Sequence, residues 1–184
     1  GDQVTVVDVE RSRVDDGLRV VVLHQAGVLP VRSAPPARKQ AGRAEQKGSR
    51  AQAQQGRAGL MGSDHITRIT TRISGAVVSA VVEPDEGRAS AAAAAAPEAR
   101  TFTRIEDAIA AGAVDAVLIA TPGRFHEPVL VPALEAKLPI LCEKPLTPDS
   151  ATSWDILQLE QKLDRPHIQV GFMRRFDAEY EALR

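Results

Sequence analysis

The stretch "GLMGSDHITRITTRISGAVVSAVVEPD", Gly59 to Asp85, decides the fold, because its apolar spacing changes from a helical period to a strand within a few residues. Ile66, Ile69 and Ile73 recur every three or four residues, which predicts a helix from Leu60 to Ser74 closed by Gly75. "AVVSAVVE" follows as a β-branched strand ending at Glu83. Gly59 and Gly62 stand at the head of the helix, where backbone can approach a phosphate and the free N–H groups of a helix start face it.

Downstream the alternation continues. "PDEGRASAAAAAA" reads as helix up to Pro97, "RTFT" as a short strand, and "RIEDAIAAG" as a helix with Thr103 at its N-cap and Gly112 as its stop. "VDAVLIATP" is a continuous apolar run of the kind buried on both faces of a parallel sheet. "HEPVLVPALEAK" is a helix with Pro128 and Pro132 near its start, and "PILCEKP" is the next strand. Thr147 and Pro148 open a helix through Lys162 with Trp154, Leu157 and Leu163 inward, and "HIQVGFM" is the last strand. Repeated β-α order predicts parallel strands joined by right-handed crossovers, hence an α/β doubly wound sheet whose ligands bind at the carboxyl ends of the strands.

Upstream the character differs. Between Arg32 and Arg57 lie seven basic residues and one acid, with no Val, Ile, Leu, Met or aromatic residue, so nothing there offsets the entropy of ordering the backbone. Residues 32–57 are expected to be a disordered linker; without aromatics or a fold signature the charge does not point to nucleic acid. Before them, "VTVVDV" (Val4 to Val9) and "LRVVVL" (Leu18 to Leu23) suit strands.

Bulk composition agrees with a single soluble domain. The chain has 184 residues, 43% apolar and 26% charged, with aromatics at only 3%, which leaves the core to Val, Ile, Leu and Ala. No apolar run reaches the roughly 20 residues of a membrane span, and no signal peptide is expected. The one cysteine, Cys142, excludes an internal disulfide and a cysteine-based zinc site, so a cytoplasmic location is expected. His65, His126 and His167 are too scattered to predict a metal centre.

Candidate chemistry gathers at the strand ends. Glu83 closes the strand about 20 residues beyond the glycines, where a carboxylate accepts hydrogen bonds from adenosine ribose hydroxyls and repels a 2'-phosphate, a preference for NAD over NADP. "ATPGRFHE" ends a central strand and should line a cofactor crevice. "CEKP" ends the next with Lys144, which beside a nicotinamide can hydrogen-bond a substrate hydroxyl and help move its proton. Arg174 and Arg175 follow the final strand as a helix cap, an ion pair or a ligand contact.

With these segments in hand, the chain resembles the Gfo/Idh/MocA family of NAD(P)-dependent sugar and polyol oxidoreductases, and within it the inositol 2-dehydrogenases. "GLMGSDHITRITTRISGA", "VDAVLIATPGRFHEPVL", "LCEKPLTPDSA" and "QVGFMRRFDAEY" look like the family's signature segments over about Gly59 to Arg184. The resemblance implies a Rossmann-like NAD-binding domain over residues 58–176. Gly59, Leu60, Met61 and Gly62 would form the pyrophosphate loop and Glu83 the ribose-binding acid; Thr121, Pro122 and His126 would lie along the cofactor with Glu143 beside it. Lys144 would be the catalytic lysine, while Met173 and Arg174 would face cofactor and substrate. The implied reaction oxidises a secondary ring alcohol of a polyol or sugar, such as myo-inositol, to a ketone with hydride transfer to NAD. Homo-oligomers are usual in the family; neither nucleic acid nor membrane is an expected partner, and no metal is expected.

Two departures qualify that expectation. The family's C-terminal α/β domain, which completes the catalytic group, is expected to be missing, residues 177–184 being only its start. The first strand and glycine loop are also atypical: Arg57 holds the slot of the first glycine, at a cost of roughly 1 to 2 kcal/mol where left-handed backbone is required. "LRVVVL" can replace the missing first strand only through an excursion of about 33 residues, which loop entropy tolerates. Residues 1–57 are therefore expected to be an atypical segment outside the native domain. The alternatives to an enzyme are a nucleotide-binding or interaction module without turnover and a non-functional truncated product.

Overall fold

The computed structural model describes residues 17–23 and 61–183. The expected strand Val4 to Val9, the basic stretch 32–57, Gly59 and Leu60 lie outside the described residues. The elements are β1 (Leu18–Leu23), α1 (residues 61–72), β2 (Ala76–Val82), α2 (Glu86–Ala95), β3 (Arg100–Phe102) and α3 (Ile105–Ala110). They continue with β4 (Ala116–Ile119), a 3-10 turn (Gly123–Phe125), α4 (Glu127–Glu135), β5 (Ile140–Cys142), α5 (Ser150–Glu160) and β6 (Ile168–Val170), then a second 3-10 turn (Met173–Phe176) and α6 (Ala178–Glu181).

All strand pairings are parallel, in the order β3-β2-β1-β4-β5-β6. This is the doubly wound order, with its reversal of winding between β1 and β4. β1 therefore sits in the middle, pairing Val20 with Val78 on one side and with Ala116 on the other. The domain expected over residues 58–176 thus gains a strand from residues 18–23. The physical reason is burial: Val21 and Val22 are wholly buried and Leu23 is 2% exposed, and each such side chain contributes about 1.5–3 kcal/mol.

Two apolar layers cover the sheet. On one face Val21, Leu23, Val117, Ile119 and Ile140 pack against Ile105 and Ala108 of α3, Leu130 and Leu134 of α4 and Ile156 of α5. On the other, Val20, Val22 and Leu118 pack against Ile66 and Ile69 of α1 and Ala92 of α2. Within β2, Val78 and Val81 share this second face although three residues apart, because Ser79 is an extra residue in the pairing with β1. Its hydroxyl lies 3.4 Å from the Val20 carbonyl oxygen.

The predicted stops hold: Gly75 and Gly112 take φ of 81° and 58°, the left-handed region that favours glycine. Four local expectations are corrected. Ile73 lies beyond the end of α1 and is 51% exposed. The N-cap of α3 is Arg104, not Thr103, and no side chain caps that helix. α5 begins at Ser150 because Asp149 caps it, its carboxylate accepting from the Thr152 N–H at 2.9 Å. The inward stripe of α5 runs through Ile156 and Leu159 to Leu163, while Trp154 (57%) and Leu157 (38%) are exposed. A two-residue offset turns a side chain by more than half a turn.

Candidate functional site

Glu83 and Glu143 directly follow β2 and β5, and Thr121 comes two residues after β4, so the parallel sheet delivers them to one edge. Their surroundings differ. The Glu83 side chain is fully buried, with Oε1 accepting from the Asp85 N–H at 2.9 Å and from Arg88 Nη2 at 3.0 Å. That hydrogen bond holds the Arg88 proton more firmly than usual, against a smaller opposing effect of burial. Arg88 Nε is buried without a hydrogen-bond partner among the described residues. The sequence reading missed Arg88, although its place one turn into α2 is the signal that would have found it.

The Thr121 side chain is buried and its Oγ1 has no hydrogen-bond partner among the described residues. A bare hydroxyl at the crevice end of a central strand is the kind of group a bound molecule satisfies. Pro122, half-buried, precedes the 3-10 turn that leads into α4.

His126, expected along the cofactor, has a fully buried side chain whose ring meets backbone: Nε2 lies 2.8 Å from the Thr121 carbonyl oxygen, and Nδ1 lies 2.9 Å from that of Pro145 and 3.1 Å from that of Leu146. It ties the turn after β4 to the loop after β5. Cys142 Sγ packs 3.3 Å from the same ring, and burial, with a smaller push from Glu143, raises its thiol to about 12.

Glu143 keeps 18% of its side chain exposed and meets His65 Nε2 of α1 at 2.9 Å. Because a carboxylate only accepts, the imidazole donates here. Gly171, just past β6, lies close on the carboxylate's other side, where a β-carbon would sit 3.6 Å from Oε2. This pairing joins the helix after the glycine loop to the lysine-bearing strand end. The spacing of 78 residues hid it from sequence reading.

Lys144 is exposed and makes no ion pair among the described residues. Of the expected loop, Met61 is 41% exposed at the start of the described part of α1 and Gly62 is buried. Met173 is 59% exposed on the turn after β6. Arg174 bonds Asp177 at 3.2 Å and lies 4.7 Å above the Tyr180 ring, so its charge is engaged within its own turn. Among the described residues no cluster of His, Cys, Asp or Glu could hold a metal, and no helix is long and apolar enough to cross a membrane.

The chain is similar to known proteins. The chain is 75% identical over 127 residues to an inositol 2-dehydrogenase of Corynebacterium glutamicum (strain R), covering 69% of this chain and 38% of that protein. It is 70% identical over 129 residues to an inositol 2-dehydrogenase of Leifsonia xyli subsp. xyli, covering 70% of this chain and 38% of that one. Among solved structures, a myo-inositol dehydrogenase from Lactobacillus casei in complex with NAD(H) and myo-inositol superimposes with a TM-score of 0.69 at 27% identity, over 91% of this chain and 40% of that one. The chain thus spans about two fifths of the length of the relatives it matches. Residues 56–172 match the Gfo/Idh/MocA family model, which takes in every strand but β1, and on that match the chain belongs to the oxidoreductase family with the NAD-binding Rossmann fold.

Proposed function

We propose that this chain is the NAD-binding portion of an inositol 2-dehydrogenase-type enzyme, which oxidises a secondary ring alcohol of a polyol to a ketone. The observation that carries the reading is the placement of Thr121 and the Glu143–Lys144 pair at the carboxyl ends of β4 and β5, beside the reversal of winding. The unpartnered Thr121 hydroxyl fits a bound dinucleotide. When bound, NAD supplies the acceptor for the hydride that leaves the substrate carbon.

The chain's own residues have separate tasks. Gly59 to Gly62 would cradle the pyrophosphate at the start of α1, Glu83 would accept from the adenosine ribose, and Pro122 would border the crevice. Lys144, exposed at the strand end, hydrogen-bonds the substrate hydroxyl and takes part in moving its proton. His126 holds the lysine-bearing loop in register with the Thr121 turn. Met173, exposed on the turn after β6, would face the cofactor, and Arg174 would do so once its pair with Asp177 opens. Myo-inositol as the polyol, a cytoplasmic location and homo-oligomeric assembly complete the proposal.

Binding and turnover are tested in turn. Titrating the purified chain with NADH, followed by its fluorescence, should give saturable binding that Glu83→Ala weakens. Absence of saturation would sink the reading. Myo-inositol-dependent NADH production, lost in Lys144→Ala, would distinguish an enzyme from a binding module.

A further inference from the structure

We propose that Glu143 makes the site prefer the oxidised cofactor over the reduced one, and that His65 is the positioning residue that holds its carboxylate in place. This rests on the reading of the crevice as an NAD site and adds a selectivity that the reading does not contain. A nicotinamide ring is cationic in NAD+ and neutral in NADH, so a fixed carboxylate at the nicotinamide half of the crevice distinguishes the two by charge alone. In a sheet wound in this order the dinucleotide straddles the reversal, and the strands β4 and β5 lie on the half opposite β2 and β3.

Among the described strand-end carboxylates, Glu143 is the one suited to this. It follows β5 and has part of its side chain exposed, whereas Glu83 follows β2, is fully buried and has a guanidinium against it. His65 reaches Glu143 Oε1 from α1 at 2.9 Å, and Gly171 packs close to the Oε2 side, so the carboxylate is held between two elements. An ionised group fixed in this way acts on a nearby charge at full strength, whereas a mobile one averages its field with solvent. The nearest other charges in sequence, Asp64 and Lys144, do not share this bond: Asp64 is paired with Arg68 at 2.7 Å on the exposed side of α1, and Lys144 extends into solvent.

The test is the ratio of dissociation constants for NADH and NAD+, the first from fluorescence titration and the second by competition, on the chain as it stands. Glu143→Gln keeps the acceptor for His65 and removes only the charge. It is expected to lower the ratio by about tenfold, through weaker NAD+ binding, with NADH changing less than about threefold. His65→Leu should lower the ratio about threefold, and His65→Gln, whose amide can still donate, should restore it. A loss of fold would weaken both forms together and leave the ratio unmoved. If both forms bind and Glu143→Gln leaves the ratio within about twofold, the inference is overturned and the functional reading stands. Equal losses in His65→Gln and His65→Leu would remove the positioning role, and failure of the wild-type chain to bind either form would overturn the inference and the functional reading together.

Discussion

Two glutamates leave the same edge of the sheet and meet different fates. Glu83, at the end of β2, meets Arg88 of α2, five residues on, and its side chain is fully buried. Glu143, at the end of β5, is held by His65, 78 residues earlier in the chain, and remains accessible. The Arg88 bond ties Glu83 to the helix that follows its own strand, whereas the His65 bond links Glu143 to an element far away in the chain.

The contrast can be broken from the centre outward. β1 separates the two halves, and Leu23→Ala, which opens a cavity under both, should cost about 3 kcal/mol and be read as a lowered midpoint in urea denaturation. A change below about 1 kcal/mol would mean that the strand contributes little to the core.

Glu83→Ala comes next. It strands the Asp85 N–H and removes one of two carboxylates facing Arg88, and since Arg88 is 40% exposed and keeps Asp85 at 3.8 Å, the expected loss is about 2 kcal/mol rather than that of a wholly buried pair. Glu143→Gln should cost less than about 1 kcal/mol, because the partly exposed pair keeps its hydrogen bond. Equal losses in thermal denaturation would erase the distinction between the two carboxylates.

Cys142 sharpens the comparison on the Glu143 side. Its thiol, raised by burial and then by the neighbouring carboxylate to about 12, should resist a disulfide exchange reagent at pH 8 until the chain unfolds. The folded value lies above the unfolded one of about 8.5, so the associated stability is whole below that pH and is lost as pH rises toward about 12. Rapid labelling of the folded chain would place Cys142 nearer solvent than its burial indicates. Glu143→Gln removes the smaller cause of the shift, so its effect on labelling should be the least of those named here.

The fold was legible where periodicity was long and punctuation clear. The spacing of Ile66 and Ile69, the run Val117 to Ile119, and glycines 75 and 112 all carried local physical signals. The face of α5 was not legible: Trp154 looked like a core residue by type, but Ile156 and Leu159 are the ones turned inward. The site divided in the same way. Strand-end positions of Glu83, Thr121 and Glu143 followed from the alternation of elements, whereas the burial of His126 and the reach of His65 depend on contacts between loops far apart in the chain. β1 was the hardest to foresee, since a strand cut off from its neighbours by a long polar stretch has only its β-branched composition to recommend it.

That strand is also where the account is most exposed, because the two strand ends share a crevice only if Leu18–Leu23 fills the middle of the sheet. Amide hydrogen exchange on the full chain tests it directly. Val20 to Leu23 should exchange as slowly as Val117 to Ile119 in the adjoining strand β4. Exchange of residues 20–23 at the rate of an unstructured chain, while β4 stays protected, would contradict it.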